Sequence, residues 1–425
     1  MQFLILFLYN VLVTLAWPLV WVVAIFNSKL RGNLAGQREI KQSLDRFRKK
    51  TSEEPRPIVW LHAASAGEFE QLQPVLDALQ QEKVWIFQTF TSSTIYLKSF
   101  TDKRFHGVSY LPWDLVWRTR RFIKTLDPNL FVNTRHDLWP NLLNSLKRAG
   151  VRSVLINANL YPDSARLWPV LKSINAVIFN QISQIYTVSE NVAGLIRRLY
   201  AGELVVSGDT RFDRVAQRAQ RVSGSLLSEG LIDQRPVVVL GSVLDSDLAI
   251  IVPAMAEHLK QHQVLFVLVP HETRERDITP WEVALFRHSI KAVRYSELEH
   301  YKGENVIIWN TVGQLADLYQ HASLAYVGAG FGAGVHSVTE PAIYHVPAAH
   351  GPSYQILAEA VELVELQISR VITTPDELSN WLQLLDHPDE LQRLRDALQR
   401  YMEERLGATH RILKMELARL ISSKG

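Results

Sequence analysis

The sequence predicts an α/β protein: two Rossmann-like domains, each with a doubly wound parallel sheet, behind an N-terminal membrane helix. Three observations predict it. The first 27 residues carry no charge. From Pro57 onward, short apolar runs alternate with amphipathic helical patterns, as they do where strands are buried on both faces between helices. That alternation stops once, in the polar stretch 213–235, and then restarts. A length of 425 residues also fits two domains better than one.

Residues 3–26 read FLILFLYNVLVTLAWPLVWVVAIF. A helix of that length extends about 36 Å, against roughly 30 Å for a hydrocarbon core. Tyr9, Trp17 and Trp21 suit the membrane interface, and Pro18 is tolerated in a membrane helix. No basic run precedes the segment and no small-residue cleavage site follows it, so it is expected to remain as an anchor. Residues 28–50 then hold eight Lys/Arg and two acids, a net charge of +6. The whole chain carries +3, so residues 51–425 sum to −3. The basic flank places the body on the cytoplasmic side, at the inner membrane, and would attract anionic lipid by about 1 kcal/mol per Lys or Arg. A solvated linker helix is the alternative reading. The small total charge gives no reason to expect a nucleic-acid partner. The absence of cysteine excludes disulfides, thiol nucleophiles and thiolate metal sites.

The expected domain plan is therefore an anchor (1–27), a basic juxtamembrane segment (28–50), a first domain (51–220) and a second (221–425) that includes terminal helices. In the first domain, strands are expected at 58–63, 84–90, 107–112, 130–134, 152–158, 184–189 and 203–208, with helices such as 68–80 and 139–148 between them. In the second they are expected at 236–242, 264–270, 305–310, 324–330 and 346–351. In open α/β sheets, ligands bind outside the carboxyl ends of the strands, so the loops that follow strands are where chemistry is sought.

The first such loop is HAASAGE, 62–68. Ser65 and Glu68 stand at the capping-box spacing, so Glu68 is either a helix cap or a general base held at a helix N-terminus. The segment SGDTRFD, 207–213, offers Arg211 as a phosphate clamp, or as the partner of Asp209 or Asp213. GAGFGAG, 328–334, follows an apolar run and is expected to open a helix whose N-terminus favours phosphate, with His336 and Glu340 one turn apart on it. A tight turn is its plainer reading. The stretch 111–124 mixes aromatics with Arg118, Arg120, Arg121 and Lys124, suiting either a lipid-facing helix or an ordinary amphipathic one. No further ligands stand at metal-binding spacing.

In order along the chain stand WLHAASAGEFEQ (60–71), LPWD (111–114), LWPN (138–141), NANL (157–160), GDTRFDRV (208–215), VPHE (269–272), VGQL (312–315), GAGFGAGVHSVTE (328–340) and GPSY (351–354). This ordered set resembles the 3-deoxy-D-manno-octulosonic acid (Kdo) transferases of lipopolysaccharide assembly, in particular a divergent Bacteroidetes-like branch. The resemblance implies a GT-B glycosyltransferase fold, two Rossmann-like domains facing a cleft. It implies inverting transfer of Kdo from CMP-Kdo to a lipid A precursor, without metal or other cofactor. It makes Glu68 the general base. Arg211, Ser242, His271, Gly313, Leu315, Gly330, Gly332, His336, Ser337 and Glu340 become donor-binding residues, with Glu340 on the ribose. Ser65, Gly67, Arg118, Arg121 and Arg135 are expected to face the acceptor or the anionic membrane. The chain departs from the family pattern at Arg135, where an acid is common, at Val243-Leu244, at His271, where an Arg is common, and at Ser337, which replaces an Asn. Those departures leave two other readings: a GT-B transferase for a different nucleotide sugar, and a non-catalytic membrane-surface paralogue.

Overall fold

The computed structural model describes residues 2–91, 102–135, 137–221, 224–332 and 334–422. It divides into two compact units, Met1–Arg214 with Arg405–Gly425, and Val215–Glu404.

The first unit is built on a sheet of seven parallel strands: β1 (Ile58–Ala63), β2 (Trp85–Phe90), β3 (Gly107–Tyr110), β4 (Leu130–Thr134), β5 (Arg152–Ala158), β6 (Gln184–Thr187) and β7 (Glu203–Val206). Their order is β3-β2-β1-β4-β5-β6-β7. All six residues of β1 are buried, as expected of a strand covered on both faces. The second unit repeats the plan with β8 (Val237–Val243), β9 (Leu265–Pro270), β10 (Ala292–Arg294), β11 (Val306–Ile308), β12 (Leu324–Val327), β13 (Ala348–His350) and β14 (Arg370–Val371) in the order β10-β11-β9-β8-β12-β13-β14. Each apolar run read from the sequence is a strand. The edge strands β10 and β14 are missing from the sequence reading because they span only three and two residues, too few to show a pattern.

Both sheets reverse their winding direction once. Successive strands run outward from β1 through β2 to β3, and then the chain returns to place β4 on the other side of β1. In the second sheet the reversal lies between β8 and β12. Such a reversal leaves two neighbouring loops diverging to opposite faces, which opens a crevice at the carboxyl end of the sheet.

Three segments pack differently from the sequence plan. The basic segment is a helix, Ser28–Thr51, that belongs to the first unit's core. Leu34, Leu44 and Phe47 are buried, and Ser43 bonds the Val108 carbonyl of β3. Gly36 lies so close to the Tyr110 ring that a Cβ there would sit 2.1 Å from it. Only one side of this helix is apolar, so the charge run reads as a flank while the buried stripe does the packing. The polar stretch 213–235, read as a break between the two strand patterns, begins inside the helix Thr210–Arg221; residues 222–223 lie outside the described residues.

The last helix, Ala408–Ser422, packs in the first unit, although the sequence plan placed it in the second domain. Ile412, Leu413 and Leu420 join the cluster around Leu61 and Val132. Glu416, 1% exposed, accepts from Arg152 Nε at 2.5 Å and Nη2 at 2.8 Å, and from the Tyr186 hydroxyl at 2.6 Å. Asp213 caps this helix by accepting from the Gly407 and Thr409 N–H groups, both at 2.6 Å. Removing one partner of a buried pair strands the other. Glu416→Ala should therefore lower stability by about 3 kcal/mol in denaturant unfolding of the detergent-solubilised protein. A loss no larger than that of a surface substitution would show that the network contributes nothing.

Candidate active site

The β1/β4 reversal of the first unit places Glu68 and Arg135 on neighbouring loops. Glu68 lies in the first turn of helix Ala66–Leu79, which starts directly after β1. The capping box is real: Glu68 Oε2 accepts from the Ala64 N–H at 2.7 Å and the Ser65 N–H at 3.2 Å, and Ser65 Oγ accepts from the Glu68 N–H at 3.3 Å. The carboxylate is thus a cap, and it is also tuned. Burial raises its pKa above the ordinary carboxylate value; the Ala64 N–H opposes that, Asp137 adds to it, and His62 opposes it. Ser65 and Gly67 are exposed, and a Cβ on Gly67 would meet nothing within 4 Å. The loop surface beside Glu68 is therefore open at Gly67 among the described residues.

Behind Glu68 runs a buried hydrogen-bond chain that the sequence reading missed. Trp60 Nε1 donates to Thr89 Oγ1 at 2.8 Å. Thr89 Oγ1 lies 2.9 Å from His62 Nδ1, and His62 Nε2 lies 2.7 Å from Asp137 Oδ2. The Thr89 carbonyl lies 3.1 Å from the same Nδ1, so that nitrogen meets both a hydroxyl and a carbonyl oxygen, while Nε2 donates to Asp137. Burial alone would raise the Asp137 pKa, but the bond from His62 and its charge hold it below the usual carboxylate range. His62 is fully buried at the end of β1 and paired across the sheet with Thr89 and Asn133. A lone histidine in an apolar run gives no sign of this, because its partners come from β2 and from the loop after β4.

Arg135 has the left-handed φ of 61° at the end of β4, and its buried Nε has no hydrogen-bond partner among the described residues. The adjoining His136 lies outside the described residues. Arg211 is joined to Asp209 by Nε–Oδ2 at 2.8 Å and by its own N–H to Oδ1 at 2.8 Å. Of its two candidate ion-pair partners, Asp209 holds it while Asp213 caps the last helix. Its loop is fastened to the helix bearing Glu68, since Thr210 Oγ1 donates to the Gln71 carbonyl at 2.6 Å. Arg118 and Arg121 stand elsewhere. They line a cavity of about 260 Å³ with Gln37, Lys41 and Phe122, and the lining does not include Glu68.

In the second unit, the β8/β12 reversal gathers most of the other predicted residues. Ser242, at a bulge near the end of β8, has φ 54°. A Cβ on Gly328 would lie 2.5 Å from the Ser242 carbonyl oxygen, so a glycine is required where β12 leaves the sheet. His271 follows β9, and its ring stacks on His336 with centroids 4.5 Å apart. His336 Nε2 is buried without a partner, and burial, then His271, lower its pKa against the pull of Asp247. Asp247, unmarked in the sequence, is fully buried and accepts from Leu244 N at 2.8 Å, Ala329 N at 3.0 Å and the Tyr326 hydroxyl at 3.0 Å. It ties the loop after β8 to the loop after β12.

The glycine loop does not open a long helix. Residues 335–338 are irregular, and the helix that follows is the four-residue Thr339–Ala342. Gly334, at φ 123°, and Pro341 keep the chain from entering a helix earlier. His336 and Glu340 therefore do not share a helix face, and Ala333 lies outside the described residues. Glu340 is raised by burial, with Arg218 at 3.8 Å opposing and Asp317 adding. Ser337 Oγ is 2.9 Å from Thr339 Oγ1. Gly313, at φ 87°, leads into the short helix Leu315–Leu318, and Leu315 packs against Gly241 at the end of β8. The loop's two central glycines differ. A Cβ on Gly330 would lie 2.6 Å from the Gly351 backbone, whereas one on Gly332 finds nothing nearer than 3.9 Å. Gly330→Ala should cost roughly 1–3 kcal/mol of stability and Gly332→Ala little, read as thermal unfolding of the two variants side by side. Equal melting would sink that distinction.

Comparison with known proteins agrees with this geometry. The family profile described as "3-Deoxy-D-manno-octulosonic-acid transferase (kdotransferase)" matches residues 38–214. A 3-deoxy-D-manno-octulosonic acid transferase of Haemophilus influenzae is 28% identical over 380 residues, covering 85% of this chain and 87% of its own length. One from Chlamydophila psittaci is 27% identical, covering 79% and 78%. Among solved structures, a UDP-GlcNAc 2-epimerase from Neisseria meningitidis aligns with a TM-score of 0.60 at 12% identity, over 85% of this chain and all of that one, a likeness of fold alone. With two seven-stranded parallel sheets, each reversing at its central strand, the architecture is a GT-B fold, and residues 38–214 match the 3-deoxy-D-manno-octulosonic-acid transferase family profile.

Proposed function

We propose that the protein transfers Kdo from CMP-Kdo to a lipid A precursor, with inversion, at the cytoplasmic face of the inner membrane. The observation that carries the reading is the partly buried Glu68 carboxylate with its raised pKa, held by a capping box just after the central strand and beside the exposed Ser65 and Gly67. Glu68 takes the proton of the acceptor hydroxyl, whose oxygen attacks the anomeric carbon of Kdo. The bond to the phosphate breaks on the opposite face, and CMP leaves with the bonding pair. The loops after β8, β9 and β12 hold the donor nucleotide, with Glu340 on the ribose hydroxyls. Arg211 supports the departing phosphate, moderated by its pairing with Asp209. The uncharged anchor and the basic helix hold the body at anionic lipid, where the acceptor resides.

Glu68→Gln should lower transfer by about 10²–10⁴-fold while leaving stability nearly intact, because Gln still closes the capping box. Transfer from enzymatically generated CMP-Kdo, with product mass counting the additions, measures it. A wild-type rate would remove Glu68 as the base.

The pH dependence follows from the raised pKa. A base works only when ionised, so kcat/KM is full above the Glu68 pKa and falls as pH drops through it. The acidic limb should therefore lie above the ordinary carboxylate value of 4.5. Asp137→Asn removes a neighbouring negative charge and should move that limb downward. An unmoved limb would mean that another group titrates.

Gly67→Leu tests the open space. Leucine favours the helix by roughly 1 kcal/mol over glycine and its Cβ meets no atom of the described residues within 4 Å, so stability should hold or rise while transfer falls. Unchanged transfer would place the acceptor elsewhere.

A further inference from the structure

The helix Gln2–Phe26 is long enough to cross a bilayer, but one side of it is docked on the body at Tyr9 and Trp17. Leu6, Tyr9, Val13, Trp17, Val20 and Ala24 are the partly or fully buried positions of one stripe, spaced three or four residues apart. That stripe extends about 27 Å along the helix, so one side of the anchor is partly covered along most of its length.

The contacts are specific. The Tyr9 hydroxyl donates to Asp114 Oδ2 at 2.8 Å. Asp114 is 6% exposed and also accepts from the N–H groups of Asn141 and Leu142, so it caps helix Pro140–Arg148. Trp17 meets the edge of Trp113 at 4.9 Å, and the Arg118 guanidinium lies 5.0 Å over the Trp17 ring. A span needs about 20 residues standing in hydrocarbon. Only residues 2–8 precede Tyr9, about 10 Å of helix. Any further immersion would drag Asp114, Arg118 and a helix N-terminus into a medium that cannot satisfy them.

The opposite face is apolar and exposed, with Leu8, Leu12, Leu15 and Leu19 along it. Helix Pro169–Phe179, which touches the anchor, adds exposed Trp168 and Val170. The helix after the anchor begins at Ser28 and brings Arg31 within its first turn, where it donates to the Ile25 carbonyl at the end of the apolar face.

We propose that the anchor is a wedge in a single leaflet: it stays docked along the body, both its ends face the cytoplasm, and its partner is one leaflet of an anionic bilayer. This rests on the membrane attachment proposed above and goes beyond it by excluding a crossing. The chain has no cysteine, so one can be added in a short Ser-Gly extension ahead of Met1 of the full-length protein, with Ser52→Cys as the cytoplasmic control. In cells with the outer membrane opened, an impermeant maleimide should leave both sites unlabelled and label both after lysis. Labelling of the extension in unlysed cells means that the helix crosses and overturns the inference, while membrane attachment stands. Recovery of the protein in the soluble fraction sinks the attachment itself. As a second reading, a dye on Leu12→Cys in phosphatidylethanolamine–phosphatidylglycerol vesicles should be quenched by brominated acyl chains. An unquenched dye overturns the wedge.

Discussion

The constraint on which this structure depends is the single reversal of winding in each parallel sheet. Strands buried on both faces must be covered by helices, and a right-handed crossover sends each helix to a side set by the direction of winding. Where that direction changes, two loops part and the carboxyl ends of the central strands are left uncovered. Glu68 and Arg135 occupy one such place, and Ser242 and Gly328 the other. The site loops are therefore a consequence of strand order, and the rest of the molecule keeps that order in register.

Buried polar chemistry holds the loops still. The Trp60–Thr89–His62–Asp137 chain holds both ring nitrogens of the buried histidine, which fixes its ring near Glu68. Asp247 does comparable service in the second unit by receiving a donor from each of two loops and a third from Tyr326 of β12. In both places a satisfied buried network sets a geometry that apolar packing alone would leave loose. Glu68 sits at the edge of its network. It receives two backbone N–H groups, yet burial keeps its proton affinity above that of a free carboxylate, and this combination suits a base.

Much of this was legible in the sequence. Apolar runs of four to seven residues mark most of the strands, and the capping-box spacing marks the start of the helix that carries Glu68. Edge strands of two or three residues were too short to read. The glycine loop was misread as the start of a long helix, because glycine followed by a His and Glu one turn apart matches helical spacing whether or not the backbone can adopt it; Gly334 and Pro341 decide against it. The partners of His62 were invisible because they are brought to it by strand pairing, across separations of 27 and 75 residues.

By itself, the sequence determined the α/β class, the break in the strand pattern and the charge division between an apolar anchor, a basic helix and an acidic body. Hydrophobic periodicity and net charge are local sums, so they survive without coordinates. Only the tertiary structure decided what each face touches. It turned the basic helix into part of a core, carried the last helix to the first sheet, paired Arg211 with Asp209, and laid the anchor against Asp114 and Trp113. The reason is physical: a residue's composition says whether it prefers water or its absence, but its partner is chosen by the chain that folding brings beside it.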